Sequence, residues 1–565
     1  MDRPWLKHYN SRVPQEIEFP NWSLPVLVSR TAEKYAANTA TEFFGAKLTY
    51  KQFWDQVLRL AEALKNMGVG KGTRVAIMLP NCPQTMIAYY ATLWLGGVGV
   101  MTNPMYVERE MEHQWNDSGA EVLFVLDHLF PKVEKVLGAT KIHTVVVTSL
   151  REYLPFLFKY LYPIKAKKQN LFMAVPYDGR RIVNFSHLIS KNAPVTDACQ
   201  AELDDLALLQ YTGGTTGVSK GVMLSHRNIL ANVLQVAAWF PDFRWGRERL
   251  IAILPFFHVF GMTVCMNFSL YGGCTTIVVP KFDADEFLKL LHKSKPTLFP
   301  GVPTIYVALI NHPKVKDYDL SSIRFCITGS APMPVEVLKK FEEMTGCIIV
   351  EGYGLSEASP VTHVNPISGM RKPGSIGIPV SSTDARIVSL EDGVSEAPVG
   401  QPGELVVKGP QVMMGYWNMP EETASTLRDD WLYTGDIATM DDDGYFFIVD
   451  RKKDMIISGG YNIYPREIDE VLYTHPKVLD AVAVGVPDPY RGEAVKAFVV
   501  PKPGETVTEE EIIQFCKSKL AAYKVPKAVE IRESLPKTMV GKILRKELRA
   551  EELRKAQQKA SSTNP

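Results

Sequence analysis

This 565-residue chain lacks a Cys-x-x-Cys pair, a signal-peptide core, an excess of charge of either sign, and any long apolar run free of breaks. Each absence removes a class of protein. With 63 Lys and Arg against 62 Asp and Glu, the net charge of +1 leaves no electrostatic footprint for a nucleic acid. Seven cysteines stand scattered at positions 82, 199, 265, 274, 326, 347 and 516. An odd, unpaired set argues against a disulfide framework and a zinc site and suits a reducing compartment, so the expected location is cytoplasmic. The first residues, Met-Asp-Arg-Pro-Trp-Leu-Lys-His, carry no apolar leader. Val75 to Val107 and Leu250 to Pro280 contain no Asp, Glu, Lys or Arg, and each is long enough to span a bilayer. Both are broken by Pro, Asn and paired Gly into strand, helix-length segment and strand. We therefore expect two βαβ units and no transmembrane helix.

What is present is an ordinary globular composition, 46% hydrophobic and 22% charged. Its length implies roughly two to four domains or subdomains. The apolar run Leu206–Leu209 reads as a buried strand stopping at Tyr211. Thr212, Gly213, Gly214, Thr215, Thr216, Gly217, Ser219, Lys220 and Gly221 follow. Glycines let backbone N–H groups approach an anion, and the hydroxyls and Lys220 add donors and charge, which suits a polyphosphate. The Gly-x-x-x-x-Gly-Lys spacing of a P-loop is absent, and the chain re-enters a strand. A lone Gly-Gly-Thr would be a flexible turn; the complete set is more.

Alternating apolar segments predict an open α/β sheet, with strands at Arg74–Leu79, Val98–Thr102, Glu121–Leu126 and Thr144–Thr148 and a helix from Thr49 to Leu64. Ser225 is a suitable N-cap for a helix to about Phe240. His258, at the C-terminal end of the strand Leu250–Leu254, is either a core histidine or a residue of a ligand site. No Asp or Glu occurs from Phe256 to Val279, so a substrate ammonium would find no partner there, and an apolar chain is favoured. Ile327-Thr-Gly-Ser-Ala-Pro332 ends a strand in small residues that admit a flat base. Val350-Glu-Gly-Tyr-Gly-Leu-Ser-Glu-Ala-Ser359 repeats the design, and Glu357 adds a hard oxygen ligand suited to Mg²⁺. Residues 151–168 mix aromatics with lysines between two prolines. Contact with an anionic membrane and a loop packed on its own subdomain are both open readings.

Taken in order, Tyr211–Gly221, Ile327–Pro332, Val350–Ser359, Trp431-Leu-Tyr-Thr-Gly-Asp436, Asp450-Arg-Lys-Lys-Asp-Met-Ile-Ile457 and Leu535–Arg545 resemble the motifs of the adenylate-forming superfamily. That superfamily joins acyl- and aryl-CoA ligases, peptide-synthetase adenylation domains and luciferases; the run Asp430–Ile457 is most similar to long-chain fatty-acid–CoA ligases. The resemblance covers about Trp5 to Arg549. It implies an α/β fold: an N-terminal domain 1–449 with two α/β subdomains (1–203, 204–369) and a small β subdomain (370–449). A hinge at 450–454, a small mobile α+β domain at 455–550 and a frayed tail at 551–565 would follow.

The resemblance also implies the activity and the roles. The substrates are ATP, coenzyme A and a medium- to long-chain fatty acid, with Mg²⁺ as the metal. Thr212–Gly217 and Lys220 cradle phosphates, and Thr212 with Glu357 faces the metal. Gly329, Ser330, Ala331, Glu351, Gly352, Tyr353 and Gly354 border the adenine. Ser356, a threonine in many relatives, faces the α-phosphate, Asp436 reaches the ribose, and Arg451 the ribose or a phosphate. Lys453 is the hinge, Lys542 the adenylation lysine, Gly459, Gly460 and Tyr461 the thioester loop, and His258 lines the acyl site. Aryl- or short-chain acids, or a non-catalytic lipid- or nucleotide-binding role, are the alternatives. Partners are small molecules, with room for a homodimer and peripheral membrane contact.

Overall fold

The computed structural model describes residues 3–159, 161, 173–212, 219–458, 461–488, 491–538 and 541–562. Packing divides the chain into two compact units: residues 1–384 with 408–432, and residues 385–407 with 433–565. The expected junction at 450–454 thus lies inside the second unit, which also takes in part of the small β region.

The first unit is built on two large sheets. One has eight strands in the spatial order Gly415–Tyr416, Lys220–Ser225, Leu206–Thr212, Val98–Met101, Arg74–Met78, Val122–Leu126, Thr144–Thr148 and Ile182–Asn184. From Leu206–Thr212 outward to Ile182–Asn184 the pairing is parallel. These strands are covered on both faces, which is why they read as unbroken apolar runs; Val122–Leu126 and Thr144–Thr148 are buried at every position. Helix Pro83–Trp94 supplies the first crossover, and its first eleven residues, Pro83 to Leu93, are all buried. The expected βαβ unit is there.

The second sheet has nine strands. The crossover between its parallel strands Arg249–Ala252 and Thr275–Val278 is a π-helical turn, Gly261–Asn267, continuing into Phe268–Tyr271. Gly261 is needed there, because a Cβ would sit 2.2 Å from the Pro255 carbonyl oxygen. The sheets do not follow the expected subdomain limits. The N-terminal hairpin Thr39–Phe43/Ala46–Thr49 joins this second sheet beside Thr275–Val278. Strands beyond residue 203 complete the first. Among the described residues no helix is long and apolar enough to cross a membrane.

Helix His226–Ala238 lies at the centre of this unit. Ser225 caps it, its hydroxyl accepting from Asn228 N at 3.1 Å. Its buried amides then tie down loops that have no ladder of their own. Asn228 Nδ2 donates to the carbonyls of Pro410 and Val412 at 2.9 and 2.7 Å. Asn232 both donates to Val361 O (2.7 Å) and accepts from Val361 N (2.9 Å). Gln235 Nε2 donates to Ser381 O at 2.8 Å and to Gln411 Oε1 at 3.0 Å.

In the second unit a long antiparallel pair, Val478–Asp488 and Gly492–Pro501, carries helix Pro465–Tyr473 and helix Glu509–Lys517. Ile468, Leu472, Ala483, Val499 and Ile512 are among the residues of its core. Thr508 caps helix Glu509–Lys517, its Oγ1 accepting from Glu511 N at 3.1 Å. The tail differs from expectation: the last helix runs Arg545–Ser562. Arg532 pairs with Glu551 and Glu530 with Lys555, while Lys555 also pairs with Glu551 and Glu552 one turn back, so distant and local ion pairs together hold a stretch that has little apolar character.

Asn232→Leu keeps the volume but strands the N–H and C=O of Val361 in the core. It should cost about 2–5 kcal/mol, read as a lower denaturant midpoint with unchanged slope. A loss below about 1 kcal/mol would show that the amide does not hold the 359–361 loop.

Candidate active site

In the first unit the site begins where the sheet changes from parallel to antiparallel pairing. Register sets Thr212 opposite Lys220 and Tyr211 opposite Gly221. Tyr211 is anchored by its hydroxyl, 2.5 Å from Asp117 Oδ2 on the last turn of helix Glu108–Ser118. Ser219 Oγ donates to Thr212 O at 2.6 Å. Lys220, 12% exposed, points its ammonium at the Glu422 carboxylate (2.5 Å) and lies 5.1 Å from the centre of the Tyr416 ring. The Tyr416 hydroxyl donates to Glu357 Oε1 at 2.8 Å. Burial, and next the Glu357 charge, raise the Tyr416 phenol far above its ordinary range, so it stays a donor at any working pH. Lys220 and Glu357 are thus joined through one aromatic ring.

The two small-residue turns stand next to each other. Glu351 pairs with Thr328 across the parallel strands Phe325–Thr328 and Ile348–Gly354. Its carboxylate accepts from Gly374 N at 2.9 Å and Met333 N at 3.4 Å. A Cβ on Gly329 would be 2.9 Å from Gly352 O and 3.5 Å from the Phe260 ring, so only glycine leaves this slot open. Ser330 takes φ +69°, a sparsely populated conformation for a residue with a side chain, and Ser330 and Ala331 continue the turn. Tyr353 meets His363 edge-on at 5.9 Å, Gly354 ends the strand, and Ser356 and Glu357 follow in a 3₁₀ turn. His258 is half-buried in the turn after Arg249–Ala252, its Nδ1 3.4 Å from Phe260 N.

The donor set fits Mg²⁺. Among the described residues no three His, Cys, Asp or Glu side chains converge as a metal cage. One carboxylate with hydroxyl and phosphate oxygens is what Mg²⁺ takes from proteins, and Glu357 and Thr212 are donors of those two types.

A second cluster is internal to the second unit. Asp436, buried on strand Trp431–Met440, faces Arg451 on the paired strand, with Arg451 Nε 3.2 Å from its Oδ1. Gly435 makes the local turn with φ +71°, its N–H donating to Glu404 Oε1 at 3.1 Å. Glu404 also holds Lys452 at 2.7 Å. Lys542 keeps solvent contact, yet crowding around its ammonium lowers its pKa to about 8. Arg451 pushes the same way, while Asp436 and Asp454 oppose. Arg545, three residues on, is fixed by Asp469 of helix Pro465–Tyr473. Lys453 is exposed in the turn after Arg451.

Gly213, Gly214, Thr215, Thr216, Gly217, Gly459 and Gly460 lie outside the described residues, as does the Tyr461 side chain. Lys220 and Glu357 come together in one unit; Asp436, Arg451 and Lys542 do so in the other. Sequence reasoning missed Tyr416 and Glu422. Their signal was the segment Gly415-Tyr-Trp-Asn-Met-Pro-Glu-Glu, an aromatic pair before a proline-started acidic turn, inside a region read only as small strands.

The family model described as AMP-binding enzyme matches residues 28–417, and that of the AMP-binding enzyme C-terminal domain matches 467–542. A long-chain-fatty-acid–CoA ligase of Bacillus subtilis is 51% identical over 97% of this chain and 98% of its own. One of Escherichia coli O6:H1 is 40% identical over 99% and 100%. A solved anthranilate CoA ligase in complex with anthranoyl-AMP superposes with TM-score 0.84 at 27% identity, covering 95% of this chain and 98% of that one. The motifs, the paired clusters and the full-length likeness agree: the chain belongs to the AMP-binding enzyme family.

Proposed function

We propose that the protein is an AMP-forming fatty-acid–CoA ligase for medium- to long-chain acids. The acid carboxylate attacks the α-phosphorus of ATP, giving acyl-AMP and pyrophosphate; the CoA thiol then attacks the acyl carbon and AMP leaves. Full-length likeness to long-chain-fatty-acid–CoA ligases supports the class. The observation that carries the substrate reading is the wall itself. Phe260, Met262, Val264, Met266 and Phe268 are buried, no carboxylate occurs from Phe256 to Val279, and Phe260 abuts the slot at Gly329. Release of pyrophosphate across a series from acetate to palmitate, with benzoate, tests it. Activity rising from acetate towards the longer chains is expected; preference for benzoate or acetate would overturn the chain-length reading in favour of an aryl- or short-chain ligase.

No covalent enzyme nucleophile is needed, and positioning with charge stabilisation drives the first step. Lys220 meets the phosphates, Asp436 and Arg451 the ribose, and Tyr353 and Gly329–Ala331 the base. Glu357 and Thr212 would hold Mg²⁺, which when bound neutralises developing charge on the phosphate oxygens. Lys542 places a point charge on carboxylate and phosphate oxygens. The glycine loop around 459–461 serves the thioester step, with Lys453 at the hinge between the two arrangements.

Lys542→Ala should slow acyl-AMP formation about 10²–10³-fold while pre-made acyl-AMP and CoA still react near the parental rate. Because the Lys542 pKa is lowered to about 8, its ammonium is present below that pH and lost above it. Adenylation kcat/KM should therefore fall as pH rises through about 8, and Lys542→Arg should abolish that limb. Equal slowing of both half-reactions, or the same limb in the arginine variant, would remove Lys542 from the first step.

Phe156 and Leu157 are 76% and 67% exposed, with Phe158 and Leu161 exposed beside them and Arg180 and Arg181 exposed in the same subdomain. Tyr160 and residues 162–172 lie outside the described residues. This patch supports peripheral contact with an anionic membrane. Replacing Phe156, Leu157 and Phe158 by serine should reduce sedimentation with phosphatidylserine vesicles and leave octanoate activity intact. Unchanged sedimentation would favour the packed-loop reading.

A further inference from the structure

We propose that the segment Gly415–Glu422 fixes the spacing of the two charged groups that meet Mg²⁺–ATP, Tyr416 positioning Glu357 and Glu422 positioning Lys220. The inference rests on the nucleotide reading of this site and adds two residues to it.

The segment is built rigidly. Gly415–Tyr416 is a short antiparallel strand on Lys220–Ser225, with Tyr416 opposite Val222. Three backbone bonds continue the attachment: Trp417 N to Gly221 O (2.7 Å), Met414 N to Met223 O (2.9 Å) and Met413 N to Glu357 O (2.8 Å). The last one ties the segment to the residue it is to orient. Helix Pro420–Thr426 starts at once and is locked back onto the strand, Tyr416 N donating to Thr423 Oγ1 at 2.9 Å. Gly415, at φ +140°, has no space for a side chain, since a Cβ would sit 2.7 Å from Thr423 Cγ2. Trp417 Nε1 and Asn418 Nδ2 both donate to Asp117 O, at 3.0 and 3.4 Å.

From this base two side chains reach the charged groups. The Tyr416 hydroxyl donates to Glu357 Oε1, leaving the carboxylate charge and fixing its plane. Hydrogen bonds of this kind to a metal ligand orient it, and losing one typically costs 10–100-fold in metal affinity. Lysine carries its charge on a flexible four-carbon stem. Here the ammonium itself lies over the Tyr416 face, 5.1 Å from the ring centre, and Glu422 accepts one of its donors, aiming the others. Removing Glu422 returns rotamer freedom to the lysine, which binding of ATP must then restrict.

Calorimetric titration of the full-length protein with α,β-methylene-ATP, with and without Mg²⁺, tests both residues without turnover. Tyr416→Phe should need about 10–100-fold more Mg²⁺ for the same analogue binding and bind it unchanged in EDTA. Glu422→Gln should weaken analogue binding about tenfold in either condition, and Glu422→Asp, which keeps the charge, should recover part of the loss. A purely structural role would lower the unfolding midpoint without separating the Mg²⁺-dependent from the Mg²⁺-independent effect. Binding within twofold of the parent in both variants overturns the proposal. A parent that does not bind the analogue overturns the nucleotide reading instead, and the proposal with it. The two variants are independent, so misfolding of one leaves the other decisive.

Discussion

The first unit depends on how helix His226–Ala238 satisfies backbone groups that belong to other segments. Asn228, Asn232 and Gln235 are buried, and their amides bond the 359–361, 381 and 410–412 stretches. An unpaired amide or carbonyl there would cost about 1–3 kcal/mol, so these loops have one low-energy arrangement. That arrangement delivers Glu357 and Tyr416 to the same place. Gln411 extends it: its Nε2 donates to Thr383 Oγ1, and its carbonyl accepts from Ser359 Oγ. Site geometry is therefore inherited from a polar network in the core rather than from the sheet alone.

The two lysines proposed for the first step are treated oppositely by their surroundings. Lys220 is nearly enclosed and held by the Glu422 carboxylate. Lys542 stands beside Arg451 and near Arg545, with carboxylates that only partly offset them, and its pKa falls to about 8. A side chain held in one place suits the grip on a polyphosphate, which is negative throughout the reaction. A weakly held proton suits a group whose charge is wanted at one stage and in one arrangement of the chain.

Much of the fold was legible because buried parallel strands leave a local mark. Val98–Met101 and Thr144–Thr148 are apolar runs without alternation, and both sit inside the sheet at the expected positions. The cap at Ser225 was legible because an N-cap bond spans three residues. Contacts across long separations were not. Tyr416 meets Glu357 and Glu422 meets Lys220 through folds of the whole unit, and neither residue type is unusual where it stands. The helix from Arg545 is tied at Glu551 and Lys555 to Arg532 and Glu530, partners that local polarity does not reveal. The membership of Thr39–Phe43 in the second sheet likewise depends on a parallel partner at Thr275–Val278.

The spatial order of the eight-stranded sheet has a consequence for how the chain is made. Its first strand to be synthesised is Arg74–Met78 and its last is Gly415–Tyr416, beside the strand that carries Lys220. At about 5–20 residues per second, tens of seconds pass on the ribosome between the two. From the moment residue 225 is made until residue 415 follows, Lys220–Ser225 is an uncovered sheet edge, and the ring that joins Lys220 to Glu357 has not yet been translated. Chains that end between residues 357 and 415 carry Lys220 and Glu357 without the ring that joins them, so the pair is assembled only when Gly415–Tyr416 is added at the sheet's edge.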